Sequence, residues 1–138
     1  MINSNTCPNR VLKSMQKWLI GQYVRELLIS DEDMRDYVGE NVYPMIAAES
    51  TKGDFIVYRR TEYQKSSVKM GVYQDAVQLE LVAVSEDYDN SAIIAALIDN
   101  ILSGVHTTED FKFECSLIHS EENYTDNKYT QLLVFEIK

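Results

Sequence analysis

The stretch "VSEDYDNSAIIAAL", Val84 to Leu97, sets Glu86, Asp87, Asp89 and Asn90 within five residues. Clustered side-chain oxygens of this kind hold hard cations such as calcium or magnesium, and paired carboxylates carry acid–base chemistry. Against a calcium-binding loop the match fails early. Asp87-x-Asp89 fits the start, but Ser91 stands at the third ligand position, Ala92 replaces the turn glycine, and Ala95–Leu97 offer no oxygen. What fits is a helix start: Asp87 or Asp89 accepts a bond from an unpaired backbone N–H, and the remaining carboxylates favour the positive helix end.

The other chemistry-bearing residues are sparse. His106 and His119 are the only histidines, and Cys7 and Cys115 the only cysteines. These spacings do not make a zinc site. No nucleophile elbow, phosphate loop or dinucleotide fingerprint occurs, and five glycines leave little material for one. The residues therefore predict no catalytic set, no metal and no cofactor.

The chain that must position these groups has 138 residues at 45% hydrophobic content, which suits one domain spanning 1–138. The formal charge is −9, which disfavours direct nucleic-acid binding and an anionic membrane surface. No run approaches the ~20 apolar residues of a membrane helix. Residues 1–8 lack the apolar core of a signal peptide, and two cysteines so placed fit a reducing interior. The charge is divided. Between Asp75 and Asp126 stand twelve acidic residues against Lys112 alone, whereas Arg59, Arg60, Lys65 and Lys69 face only Glu62 in their own stretch. Two solvated surfaces would explain this, and so would complementarity between copies of the chain.

Periodicity supplies the elements. A helix from about Thr6–Pro8 carries Val11, Leu12, Met15, Trp18, Leu19 and Tyr23, with Trp18 as a core anchor. Ser30–Asp33 opens a short second helix ending at Gly39. Asp54–Arg60 and Asp75–Asp87 read as strands. Ile94, Leu97, Ile98, Ile101 and Leu102 make the stripe of a helix ending at Gly104. Phe111–His119 and Tyr129–Lys138 are strands joined by a polar loop, Ser120–Lys128. Residues 61–73 read as a hairpin or arm. The expected class is α+β: a four- to five-stranded, mainly antiparallel or mixed sheet, with two long helices packed on one face. Val82, Val84, Leu132 and Val134 leave the second face partly apolar, to be covered by a neighbouring subunit or by the arm.

Taken in order, "VGENVYP", "FIVYRR", "VSEDYDNSAIIAALIDNIL" and "ENYTDNKYTQLLVFEI" resemble the tail completion or tail-terminator proteins of long-tailed phages and prophages. The similarity runs from about Val11 to Ile137 and is weakest over residues 61–73. It implies a non-enzymatic structural protein that self-associates into a ring, typically a hexamer. Such a ring caps the head-proximal end of the tail tube, with the tail-tube protein and the head–tail connector protein as partners. Its places would be the bacterial cytoplasm during assembly and the virion tail. With that role, Arg59, Arg60, Lys65 and Lys69 are candidate contacts for a neighbour's acidic surface, Asp87 and Asp89 included. The competing expectation from charge alone is an acidic interaction module, a DNA mimic or inhibitor of a nucleic-acid-binding partner.

Overall fold

A computed structural model describes residues 18–48, 50–67, 73–107 and 112–138; for 63–67 and 73–75 it gives the course of the backbone only. The elements in order are α1 (Ile20–Ser30), α2 (Glu32–Val38), β1 (Val42–Pro44), β2 (Phe55–Ser67), β3 (Tyr73–Ser85), α3 (Tyr88–Leu102), β4 (Gly104–Thr107), β5 (Lys112–Thr125) and β6 (Lys128–Ile137). The start of the first expected helix, and the arm residues 68–72, lie outside the described residues.

Among the described residues six strands form one mixed sheet in the order β1-β2-β3-β6-β5-β4, parallel only at β1–β2. The α+β class stands, with more strands than the four or five expected. Gly104, at φ 113°, does not merely end α3 but turns the chain straight into β4. The polar stretch 120–128 is not a loop. β5 and β6 run through it to a two-residue turn, Asp126-Asn127, with both residues at positive φ (55° and 63°). That geometry matches the right-handed twist of the flanking strands, and Asp and Asn tolerate it well. Likewise β2 does not stop at Arg60 but continues to Ser67.

Alternation in β3 decides the faces. Val77, Leu79, Leu81 and Ala83 are buried against the helices. In β6 the matching residues are Leu133, Phe135 and Ile137, and in β5 Phe113 and Cys115. From above, α3 adds Ile94, Ile98 and Leu102, α1 adds Ile20, Val24 and Leu28, and α2 adds Met34 and Val38. The two expected helix starts that lie among the described residues are capped. Asp31 accepts from the Met34 N–H at 2.9 Å, and Asp87 from the Asn90 N–H at 3.2 Å.

Each outer strand of the central four carries a bulge, one between Arg60 and Glu62 and one between Leu117 and His119. The bulges sit at one level, because Arg60 pairs with Leu79, Leu117 with Phe135, and Leu79 with Phe135. Each inserts a residue, Thr61 or Ile118, and adds local twist. On the far face Val84 is buried, and Phe55, Val57, Val82, Leu132 and Val134 are half-buried.

Trp18 is not a core anchor. It is 57% exposed, and the Arg60 guanidinium lies over its ring at 4.0 Å. Tyr58 fills the position beneath α1 instead. Its ring runs so close to Gly21 that a Cβ there would meet Cε1 at 2.7 Å. In an open helix Gly→Ala stabilises by about 1 kcal/mol. Here the added methyl meets a buried ring, so Gly21→Ala is expected to destabilise by ~1–3 kcal/mol, the cost of overpacking. Thermal unfolding should show a midpoint several degrees lower; a raised midpoint would mean that the helix and ring separate freely.

Candidate functional site

Of the six residues expected at an interface, the four whose side chains the structure describes, Arg59, Arg60, Asp87 and Asp89, do not converge within one chain. Arg59 and Arg60 are neighbours in sequence but belong to opposite faces of β2. Arg59 is on the face away from the helices, where Nε lies 3.5 Å from Glu80 Oε1 of β3. Arg60 is on the helix face, stacked on Trp18. Lys65 occupies the β2 position paired with Asp75, and Lys69 lies outside the described residues. Asp87 is the N-cap of α3 and Asp89 stands in its first turn. From Asp75 to Ser85 the hairpin runs ten residues, or ~33 Å, so Lys65 and the Asp87–Asp89 pair lie far apart along the β2–β3 hairpin.

At the end holding Asp87 and Asp89 the sheet adds further acid. The turn of the β5–β6 hairpin reaches the same level, since Tyr124 pairs with Tyr129 and Tyr129 with Ser85. Glu121, Glu122 and Asp126 therefore join Glu86, Asp87 and Asp89 there. The sequence shows the acidic excess but not this focus, because residues 120–128 read as a loop.

The same end holds the best-defined polar arrangement. Tyr88 Oη donates to Glu122 Oε2 at 2.8 Å, and Gln131 Nε2 donates to Glu122 Oε2 at 3.1 Å. Gln131 Nε2 also reaches Ser91 Oγ at 3.3 Å, and that hydroxyl donates to the Tyr88 carbonyl at 2.7 Å. Tyr88 and Tyr124 both pack against Tyr129, with ring centroids 5.5 and 4.8 Å apart. α3 is thus tied at its first turn to the β5–β6 hairpin. The Tyr88 hydrogen bond, then that from Gln131, hold the Glu122 carboxyl below its ordinary value. The same bond, together with the negative charge of Glu122, raises the Tyr88 phenol.

Both histidines make local contacts. His106 Nε2 bonds the Leu102 carbonyl at 2.6 Å and stacks on Phe113 at 5.1 Å, and His119 lies 3.5 Å from Glu121. Cys115 is buried, while Cys7 lies outside the described residues. Among the described residues no group of three or more His, Cys, Asp or Glu side chains is placed to hold a metal ion.

Two surfaces are shaped for contact. An open, largely apolar groove of about 220 Å³ lies beside β1, between Trp18, Leu19, Pro44, Met45 and Arg60. Met45, on its wall, is 68% exposed, in a cluster that sequence periodicity could not reveal because the groove joins α1, β1 and β2. The second surface comprises the sheet edges. Among the described residues β1 pairs β2 only at Ile56–Tyr58, and β4 pairs β5 only at Lys112–Cys115. Beyond those points both β2 and β5 run on with no outer strand beside them among the described residues.

The fold is therefore an α+β domain: a mixed six-stranded sheet with helices on one face and two partly open edges. A domain of this architecture occurs in a solved structure titled "Virion of native gene transfer agent (GTA) particle". The two chains superimpose with a TM-score of 0.68 at 14% sequence identity, over 83% of this chain and 89% of that one. No family model matches the sequence, and no curated protein matches it.

Because Glu122 is held low, its stabilising effect is present above its unfolded pKa and fades as pH falls through the lower folded value. Tyr88→Phe removes the largest cause. The carboxyl, followed by NMR titration, should then move up toward 4.5, its ordinary value, and the variant should lose the corresponding part of its stability change on the acid side. An unmoved Glu122 titration would show that Gln131 holds the charge alone.

Proposed function

We propose that this chain is a structural component of a phage-like particle, a self-associating ring that caps the head-proximal end of a tail tube and joins it to the head connector. The likeness in fold to a chain of the gene transfer agent virion supports this reading most strongly, since it covers nearly the whole of both domains. The order of sequence motifs points the same way.

The geometry supports head-to-tail association in particular. A ring of this kind joins one patch to a different patch on the next copy. The chain has acidic groups gathered at one end, cationic positions in the middle and far half of the β2–β3 hairpin, and two unlike open edges. Opposite charges at unlike patches steer such a joint and set its direction. Nothing in the role asks for a reacting group: we infer a protein that works by contact, with itself, the tail-tube protein and the connector protein, in the bacterial cytoplasm and then in the virion.

The acidic end also favours a second reading, an acidic module that occupies a nucleic-acid-binding partner. One experiment separates them. The full chain, purified and mixed at high concentration with the tail-tube protein of the same particle, is imaged by electron microscopy and followed by light scattering. Rings, and tubes of arrested length bearing a ring at one end, are the expected result. A chain that stays monomeric at every concentration, with the tube protein present, overturns the ring, and selective capture of a nuclease would favour the second reading.

A further inference from the structure

The two open edges are complementary in polarity, register and charge. β2 and β5 run in opposite directions, as the alternation β2-β3-β6-β5 requires. When copies are repeated side by side with their helices on the same face, β5 of one meets β2 of the next antiparallel.

The hydrogen-bond pattern shows which residues face outward. Glu114 and Lys138 exchange both backbone bonds, at 2.9 and 3.0 Å. Alternation along the ladder, carried past the bulge at Ile118, aims His119, Glu121, Asn123 and Thr125 at β6 and turns the N–H and C=O of Ser120, Glu122 and Tyr124 outward. On the other edge the Ile56 N–H donates to Asn41 O at 2.9 Å, and Tyr58 O accepts from the Met45 N–H at 2.8 Å. The same alternation, carried past Thr61, turns the backbone groups of Tyr63, Lys65 and Ser67 outward.

We propose that copies of this chain join by pairing these edges, with Tyr63, Lys65 and Ser67 of one copy opposite Tyr124, Glu122 and Ser120 of the next. This rests on the ring reading above and names the contact that would close it. The register satisfies all three outward residues on each strand and sets Lys65 against Glu122. It places the Asp126-Asn127 turn beside Arg60, at the rim of the Trp18–Met45 groove. The arriving hairpin ends where Met45 already occupies the Tyr58 carbonyl, so β1 is not displaced. β4 lies beside the part of β5 that passes beyond Ser67, so it is not displaced either. Glu122 belongs to this joint as an ionised carboxylate held in place by Tyr88 and Gln131. Successive copies are staggered by eight residues, or ~26 Å, along the strands, which sets the strands oblique to the ring axis, as in other closed sheets.

Directly opposed residues in such a pair have Cα atoms about 5.5 Å apart, within disulfide reach. Inside one chain Lys65 and Glu122 are ~26 Å apart along the strands and three strands apart across them, so any bridge between them joins two copies. In a Cys7→Ser background, the double variant Lys65→Cys, Glu122→Cys should give a ladder of bridged oligomers on mild oxidation. Mixing the two single variants should stop at bridged dimers. Bridging should be roughly tenfold faster than with Lys65→Cys and Glu121→Cys, whose Cβ atoms point to opposite faces. Ser120→Pro removes only an outward N–H, which edge strands tolerate. It should keep the monomer's circular dichroism and melting curve and lose the assembly seen by light scattering. Assembly without bridging, or equal bridging from Glu121→Cys, overturns this contact and leaves the ring. Neither assembly nor bridging at any concentration overturns both.

Discussion

The molecule depends on β3 being paired on both sides from Val77 to Val84. From Val77 to Ser85 it is in register with β6, and from Tyr73 to Val84 with β2. A central strand so paired cannot slip by one residue without moving Val77, Leu79, Leu81 and Ala83 from the core to the far face. At ~1.5–3 kcal/mol for each large apolar side chain, such a slip would cost about as much as a domain's whole stability of roughly 5–15 kcal/mol. Every other placement, of helices, faces and edges, is measured from this strand.

The two bulges follow from the same frame and change what lies beyond it. Both flank the Leu79–Phe135 pair, and both reset the alternation of an outer strand. Without Ile118, Leu117 and His119 would share a face; with it, Ser120, Glu122 and Tyr124 come under α3, and Glu122 meets Tyr88 there. Without Thr61, Arg60 and Glu62 would share a face, whereas Arg60 lies with Trp18 while Glu62 pairs opposite Gln78 on the other side. Bulges near sheet edges re-aim side chains. Here they place one polar cluster, one cation on an indole and two strand edges with defined outward groups.

Much of this is legible in the amino-acid sequence. The buried stripe of α3, the helix starts at Ser30–Asp33 and Asp87–Asp89, the face of β3 and the class of fold all follow from period and cap chemistry, which act locally. What is not legible depends on pairing. Residues 120–128 are polar because an edge strand is wet on both faces there, and composition alone makes wet strand and loop alike. Trp18 reads as core because its spacing fits the helix stripe, yet the space beneath α1 is taken by Tyr58, from a strand some forty residues on. Arg59 and Arg60 read as one basic island because charge counting ignores strand parity, which sends them to opposite faces.

Charge alone makes a poor joint. An exposed ion pair is worth roughly 0–1 kcal/mol, and Arg59 already has Glu80 beside it. A surface held by a few such pairs would select the right neighbour without keeping it. Backbone pairing differs, because each exposed edge carries N–H and C=O groups that ask for partners along a line, and natural proteins cover or charge such edges when they are meant to stay apart. In this chain the edges are charged and left uncovered among the described residues, with Lys65 on one and Glu122 on the other. That arrangement repels an edge from its own like and accepts the opposite one. Selection by charge and retention by strand pairing would then act at the same residues, and the direction of a ring would be written into the polarity of its sheet.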